Sequence, residues 1–171
     1  MKTINAVKIE TPLGEMYACA TEKGICMLEF ADDKKSIDKQ MDAIGKYFGS
    51  QIVFGQQDKY LAELQKQLAL YFAGKLTEFT FPLDMAGTEF QKKAWNVMRA
   101  IPYGKTISYK QEAESVGDPK AVRAVAGANG RNRIAIVIPC HRVIGSDGSL
   151  TGYSAGIERK KWLLELESRA K

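Results

Sequence analysis

The sequence predicts an α+β fold in two parts. Residues 1–84 read as an N-terminal β-meander with helices, and residues 85–171 as a mostly helical domain with a helix-turn-helix and a short buried strand. Three observations predict it. Three strand-like runs separated by turn residues fill the first thirty positions. The linker-like Asp84-Met85-Ala86-Gly87 falls where the charge changes sign, from a net −2 before residue 85 to a net +7 after it. Far into the second part, Ile134 to Ile138 form an apolar, β-branched run closed by Pro139. That length and content suit a strand buried on both faces, and proline ends a ladder because it has no N–H to give.

The elements follow in order. Ile4 to Glu10, Met16 to Thr21 and Ile25 to Phe30 are the three strands, joined by turns at Thr11-Pro12-Leu13-Gly14 and Glu22-Lys23-Gly24. Asp32 or Asp33 caps a helix whose apolar stripe is Ile37, Met41, Ile44 and Phe48, with Gly49 as its stop. Gln51 to Phe54 is a short strand. Asp58 to Phe72 is a helix with Leu61, Leu64, Leu68 and Phe72 on one face, and Phe79 to Leu83 is extended. Thr88 or Glu89 opens a helix with Phe90, Ala94, Val97 and Met98 inward and Trp95 beside the stripe. Ser108 caps a helix from Tyr109 to Val116. Gly117-Asp118-Pro119 turns with proline at the first position of the next helix, which runs from Lys120 to Gly127. Two short helices across a glycine-containing turn read as helix-turn-helix. The loop Ser146-Asp147-Gly148-Ser149 and the flexible loop Gly152 to Gly156 precede a last helix, Glu158 to Arg169, with Trp162, Leu163 and Leu166 buried.

Composition narrows the function classes. A hydrophobic fraction of 45% and a charged fraction of 26% belong to ordinary globular chains. No apolar run approaches the roughly 20 residues of a membrane span. The start, Met1-Lys2-Thr3-Ile4-Asn5, lacks the apolar core of a signal peptide, so a cytoplasmic protein is expected. Three cysteines are too few for a disulfide framework, and Cys19 and Cys26 read as small core hydrophobes. From Pro119 through Ser146 stand Lys120, Arg123, Arg131, Arg133 and Arg142 with no acid among them. Such a surface attracts polyanions, nucleic acid first; a solvated face is the alternative.

The chemistry centres on Cys140, followed at once by the chain's one histidine, His141. A thiol at the end of a buried strand beside a group that titrates near neutral pH is a candidate nucleophile. A core cysteine next to a surface histidine is the other reading. A free cysteine with a pKa near 8.5 is only about 3% thiolate at neutral pH, so a nucleophilic role needs a helper. Neighbours on a helical turn diverge by about 100°, so His141 would reach Cys140 through a water.

Ile138-Pro139-Cys140-His141-Arg142-Val143, Pro102-Tyr103-Gly104 with Ser108-Tyr109, Ala121-Val122-Arg123-Ala124-Val125 and Gly152-Tyr153-Ser154 together resemble the O6-alkylguanine-DNA alkyltransferases. The resemblance runs from about Gly87 to Glu167 and holds in layout for the N-terminal part, which it implies is ribonuclease-H-like. It implies single-turnover repair, in which an alkyl group moves from O6 of guanine, with O4 of thymine left open, to Cys140. By the same resemblance Glu167 holds the far nitrogen of His141, against an exposed helix charge as the plain reading, and Asn132 ties the active-site turn to the DNA-binding helices. Tyr109 and Ser154 donate to the flipped guanine, backbone groups of Cys140 and Val143 read its amine, and Tyr153 belongs to the same pocket. Arg123 fills the gap left in the duplex, with Lys110, Lys120, Ala121 and Ala124 as DNA contacts along the minor groove, and small Ala126 also allows close approach. The implied partner is double-stranded DNA bearing alkylated guanine, met by a monomer, with no membrane, cofactor or metal.

Three positions depart from the family pattern: Ala155 and Ala126 stand where glycine is common, and Arg133 where proline is. The Ala155 methyl is expected to slow bulky adducts such as benzyl relative to methyl. Two other functions stay open. A non-reacting sensor of alkylated DNA would resemble the family but carry tryptophan at the nucleophile, and a thiol hydrolase using Cys140 and His141 would turn over.

Overall fold

The computed structural model describes residues 2–169 and divides into two compact units between Ala86 and Gly87. The first begins with three antiparallel strands, β1 (Thr3–Thr11), β2 (Gly14–Thr21) and β3 (Gly24–Phe30). Helix α1 (Lys34–Phe48) then carries the chain to β4 (Gln51–Phe54), which pairs parallel with β1, giving the order β3-β2-β1-β4. The meander is therefore extended by a parallel strand, for which a crossover helix is needed. Asp33 caps α1, and its stripe Ile37, Met41 and Ile44 packs on Ile4, Ala6, Cys19 and Met27. Nearly continuous burial along β3 means both faces of the sheet are covered. Helix α2 (Lys59–Phe72) packs on the three antiparallel strands. Its cap is Asp58, which accepts Tyr60 N at 2.8 Å and Leu61 N at 3.0 Å and also takes Asn5 Nδ2 at 2.9 Å, pinning the helix start to β1.

The segment expected to be extended through Leu83 makes only a bridge from Leu83 to Ile25. Gly24 allows it: a Cβ there would lie 2.4 Å from the Pro82 carbonyl oxygen, which accepts Ile25 N.

In the second unit, α3 (Glu89–Arg99) starts at a capping box of Thr88 and Gln91. Its buried stripe is Ala94, Trp95 and Met98, with Trp95 1% and Phe90 37% exposed. The stripe is thus turned from the expected one, because the Trp95 indole donates to Ala128 O at 2.8 Å and draws its ring inward. A two-residue strand β5 (Ile107–Ser108) leads into α4 (Tyr109–Val116), opened by a second capping box, Ser108 with Gln111. Gly117 ends it in the left-handed region. Helix α5 starts later than expected, spanning Val122–Gly130. Pro119 sits in a turn instead, closed by Ala121 N on Asp118 O and by Lys120 N on the Asp118 carboxylate. Proline's fixed φ serves the second place of a β-turn as well as a helix start, so the residue alone does not choose between them. Ala94, Ala113, Val116, Val125 and Ala128 form the core that α3, α4 and α5 share.

The largest correction concerns Ile134 to Ile138. They are buried as expected, all but Val137 deeply, yet they are no strand. The chain coils: Ile138 N donates to Ile134 O at 3.0 Å and Val137 N to Ala135 O at 2.8 Å, around Ile136 at φ 71°. Burial was legible in the apolar run; a strand does not form, because the chain turns on local bonds after Ile134, which is itself a bridge residue. A one-turn 3₁₀ helix, Cys140–Arg142, follows, then β6 (Val143–Ile144), which pairs parallel with β5. The last helix, α6 (Ile157–Arg169), buries Lys160, Leu163, Leu166 and Glu167, while Trp162 is half-buried.

Candidate active site

Asn132 is the hub of the coiled turn. Its Oδ1 accepts Ile134 N at 2.9 Å, and its Nδ2 donates to Ile138 O at 2.8 Å. The same Nδ2 lies 3.4 Å from Cys140 Sγ. One side chain therefore grips both ends of the coil and touches the thiol. Its main-chain N–H donates to Asn129 O, the end of α5, so the turn is tied to the helix pair. The coil holds Ile136, a β-branched residue, in a left-handed conformation that costs about 1–2 kcal/mol. Cys140 is 9% exposed, with its N–H on Ile138 O.

Beyond the thiol the turn is knotted by charge. His141 is fully buried and its Nε2 lies 2.7 Å from Glu167 Oε2. Arg142, counted among the surface cations in the sequence, is buried as well. Its Nε and Nη2 grip the two Glu167 oxygens at 2.7 and 2.9 Å, and Nη1 donates to Ile101 O at 2.8 Å. The guanidinium also lies over the Tyr103 ring. No basic surface patch includes it, because a planar fork that meets a carboxylate at two points can be taken out of water. Burial pushes the Glu167 carboxyl up, but hydrogen bonds from His141 and Arg142 outweigh it and hold the group down at about 2. Burial lowers His141 and favours the neutral ring, against the pull of Glu167. Among the described residues His141 Nδ1 has no protein partner. With Nε2–H given to Glu167, Nδ1 keeps a lone pair and can accept a proton.

Tyr109 opens α4 where β5 pairs with β6, so the strand pair sets it beside the Cys140 turn. Its hydroxyl donates to Thr151 O at 2.9 Å. Burial, then the nearby charges of Cys140 and Glu112, push its phenol up. Gly152, at φ 70°, brings the loop so close that a Cβ would stand 3.0 Å from that hydroxyl. Tyr153 is buried and Ser154 exposed. The Cys140 and Val143 carbonyls each already accept one bond, from Val143 N and from Lys160 Nζ, and each keeps a second lone pair.

Lys160 was missed in the sequence. Fully buried, it donates to Val143 O at 2.6 Å and Thr151 O at 2.9 Å and lies 5.8 Å over the Tyr109 ring. It thereby ties α6, β6 and the Tyr153 loop together. Burial lowers its ammonium, and the Cys140 charge opposes that. The available signal was its spacing, three residues before Leu163 on the buried stripe of α6.

The other site candidates lie apart from this buried cluster. Arg123, Ala124, Ala126 and Gly127 make an exposed face of α5, Lys110 and Lys120 are exposed, and Ala121 is half-buried at its start. An arginine among small residues leaves a backbone that another surface can approach closely.

Comparison with known proteins finds matches to both parts of the chain. Residues 89–169 match the family described as 6-O-methylguanine DNA methyltransferase, DNA binding domain. Residues 6–85 match the family described as 6-O-methylguanine DNA methyltransferase, ribonuclease-like domain. The methylated-DNA–protein-cysteine methyltransferase of Methanosarcina barkeri is 46% identical, over 93% of this chain and 94% of its own. The Mycobacterium leprae protein of the same name is 53% identical, over 96% and 92%. Among solved structures, Mycobacterium tuberculosis OGT in complex with DNA superposes with a TM-score of 0.80 at 38% identity, covering 98% of this chain and 94% of that one.

Proposed function

The chain belongs to the 6-O-methylguanine DNA methyltransferase family, and on that premise we propose that Cys140 is the residue that takes the alkyl group. Its function is direct-reversal DNA repair, in which an alkyl group leaves the DNA for a protein cysteine, once per chain. The observation that carries the assignment to Cys140 is the turn itself: a thiol held by Asn132, next to a neutral histidine whose other nitrogen is committed to an ionised carboxylate.

The chemistry follows from the donors and acceptors. Neutral His141 takes the thiol proton at Nδ1 through a water, and Glu167 steadies the imidazolium. The thiolate attacks the alkyl carbon. The S–C bond forms as the C–O6 bond breaks, and guanine leaves with the electron pair and gains a proton. Tyr109 gives up its bond to Thr151 O and donates to the departing base, and Ser154 donates at O6. Carbonyls of Cys140 and Val143 accept from the exocyclic amine, and the Tyr153 ring walls the pocket. The base must leave the stack first, at a cost of a few kcal/mol. Arg123 fills the space it vacates, while Lys110, Lys120, Ala121 and Ala124 run along the minor groove. The partner is double-stranded DNA with an alkylated guanine, the acting species is a monomer, and the place is the cytoplasm. The N-terminal β-rich domain is residues 1–84, and residues 85–171 do the binding and transfer.

The test is to mix the protein with an oligonucleotide duplex carrying O6-methylguanine and weigh the intact chain. One added methyl per chain, on the Cys140 peptide, with no second turnover, is the expected result. Continuous release of product, or binding without any mass change, would overturn it. A Cys140→Ser variant should hold the duplex and leave the methyl in place.

A further inference from the structure

The helix pair that faces outward on one side hides an acid on the other. Glu112, on α4, is fully buried, and its Oε1 accepts Asn129 Nδ2, from α5, at 2.7 Å. No cation is paired with it among the described residues. Two atoms of this pair are left over, Glu112 Oε2 and Asn129 Oδ1, both buried and both without a partner. Both are oxygens. As an anion, Glu112 leaves two acceptors and no donor between them. One proton on the carboxyl supplies the missing donor, and acid and amide can then meet at two points, each giving one hydrogen and taking one. We propose that Glu112 works as a neutral carboxylic acid joined at two points to Asn129, and that this latch is a positioning device for both the DNA-facing helix and the thiol.

The placement explains why the latch reaches the reaction. Glu112 is one turn from Tyr109 on α4. Asn129 is in the last turn of α5, and its carbonyl takes the N–H of Asn132, the residue that grips the Cys140 turn. The latch therefore sets Tyr109, α5 and Asn132 relative to one another. Among the described residues nothing packed around it holds the anion. Inward from α5 come Val125 and Ala128, and from α3 Ala94, Trp95 and Met98, none of which ionises. Lys93 and Arg99 of α3 and Arg123 of α5 are exposed, Lys92 is half-exposed, and β6 offers only Val143 and Ile144. Tyr109 is the titratable neighbour that feels the charge. Burial raises the Glu112 carboxyl to about 7, with the Asn129 bond opposing. The latch therefore opens near neutral pH. A carboxyl raised from 4.5 to about 7 makes the folded state less favoured as pH climbs through that interval, by roughly 300-fold in the folding equilibrium once both forms are ionised.

The inference rests on the DNA-repair reading, and the test separates the two. The Glu112 carboxyl is followed by carbon-13 NMR in the full chain without DNA, with Glu112→Gln identifying its signal. Unfolding by urea and binding to an O6-methylguanine duplex are measured for both proteins from pH 5 to pH 8. Glutamine gives and takes at the same two points but does not titrate. A midpoint near 7 is expected, with E112Q equal to the parent at pH 5, more stable at pH 8, and freed from the parent's loss of DNA affinity in between. A midpoint at 4.5 or below, or E112Q less stable than the parent at pH 8, would overturn the latch. Identical pH dependence of DNA binding in both proteins would overturn its link to function. Failure of both proteins to bind the duplex at any pH would instead sink the repair reading and that link together, while the NMR and unfolding results still decide the latch.

Discussion

Replacing Asn132 by alanine removes the side chain that clasps both ends of the coil before Cys140. Two bonds go, to Ile134 N at 2.9 Å and to Ile138 O at 2.8 Å, along with the 3.4 Å contact to Cys140 Sγ. Their losses differ in kind. Ile138 O still accepts Cys140 N, so that bond costs about 1 kcal/mol. The Ile134 N–H is left buried without that acceptor, at about 1–3 kcal/mol. Relaxing Ile136 out of the left-handed region returns at most about 1–2 kcal/mol, and only if the coil opens. A coil that stays closed therefore loses about 3 kcal/mol. A coil that opens loses less stability but displaces the thiol, and a displacement of about 1 Å can cost 100-fold in rate. The assays are urea unfolding without DNA and the single-turnover rate of methyl transfer. Either stability falls by about 3 kcal/mol or the rate falls at least tenfold. A variant within 1 kcal/mol of the parent and within about twofold of its rate would refute the account of Asn132 as the clasp of this turn.

Arg142→Met removes the permanent charge that meets Glu167 at two points, and a buried carboxylate left without it should cost about 3–5 kcal/mol by urea unfolding. In the parent the depressed Glu167 carboxyl adds stability above pH 4.5 that is lost as pH falls toward about 2. The variant should show a shallower acid limb, and an unchanged limb would count against the pairing. At Ile136, alanine and glycine both lose the buried side chain, yet glycine suits φ 71° and alanine does not. I136G should therefore be more stable than I136A by about 1 kcal/mol, the reverse of the usual order, as read from paired denaturation curves. Arg123→Ala should lower the transfer rate at saturating duplex if the side chain fills the vacated space. A loss confined to affinity, with a salt slope smaller by about one, would make it a phosphate contact instead.

The parts of this structure that were legible in the sequence are those written by local chemistry. The capping boxes at Thr88 and Ser108 mark two helix starts because donor and acceptor lie three residues apart in the chain. The apolar run at Ile134 announces burial, since that depends on composition. Its path depends on Asn132, two residues before the run, whose side chain competes with strand pairing for both ends of the coil. Charge counting misplaces Arg142, because a sum over a segment does not see that Glu167, 25 residues later, takes it out of water. Lys160 and Glu112 hide for the same reason: each is an ordinary helix residue until partners on another element make its burial possible. Trp95 turns α3 from its expected stripe because one indole N–H needs one carbonyl.

The charges around His141 explain why the histidine can be a base without being a resident cation. Arg142 already neutralises Glu167, so the carboxylate does not require a protonated ring beside it. Burial, with Arg142 and Lys160 on the same side, then favours the neutral form. On the proposed mechanism a proton arriving from Cys140 would make an imidazolium that Glu167 supports and both cations oppose. It is tolerated while a thiolate stands nearby to balance it. Transfer to Cys140 would end that balance, because a thioether carries no charge, and the ring would then give its proton up. On the proposed mechanism the arrangement that ionises the thiol would not store the proton afterwards: the thioether sulfur no longer takes it, so the departing guanine would receive it.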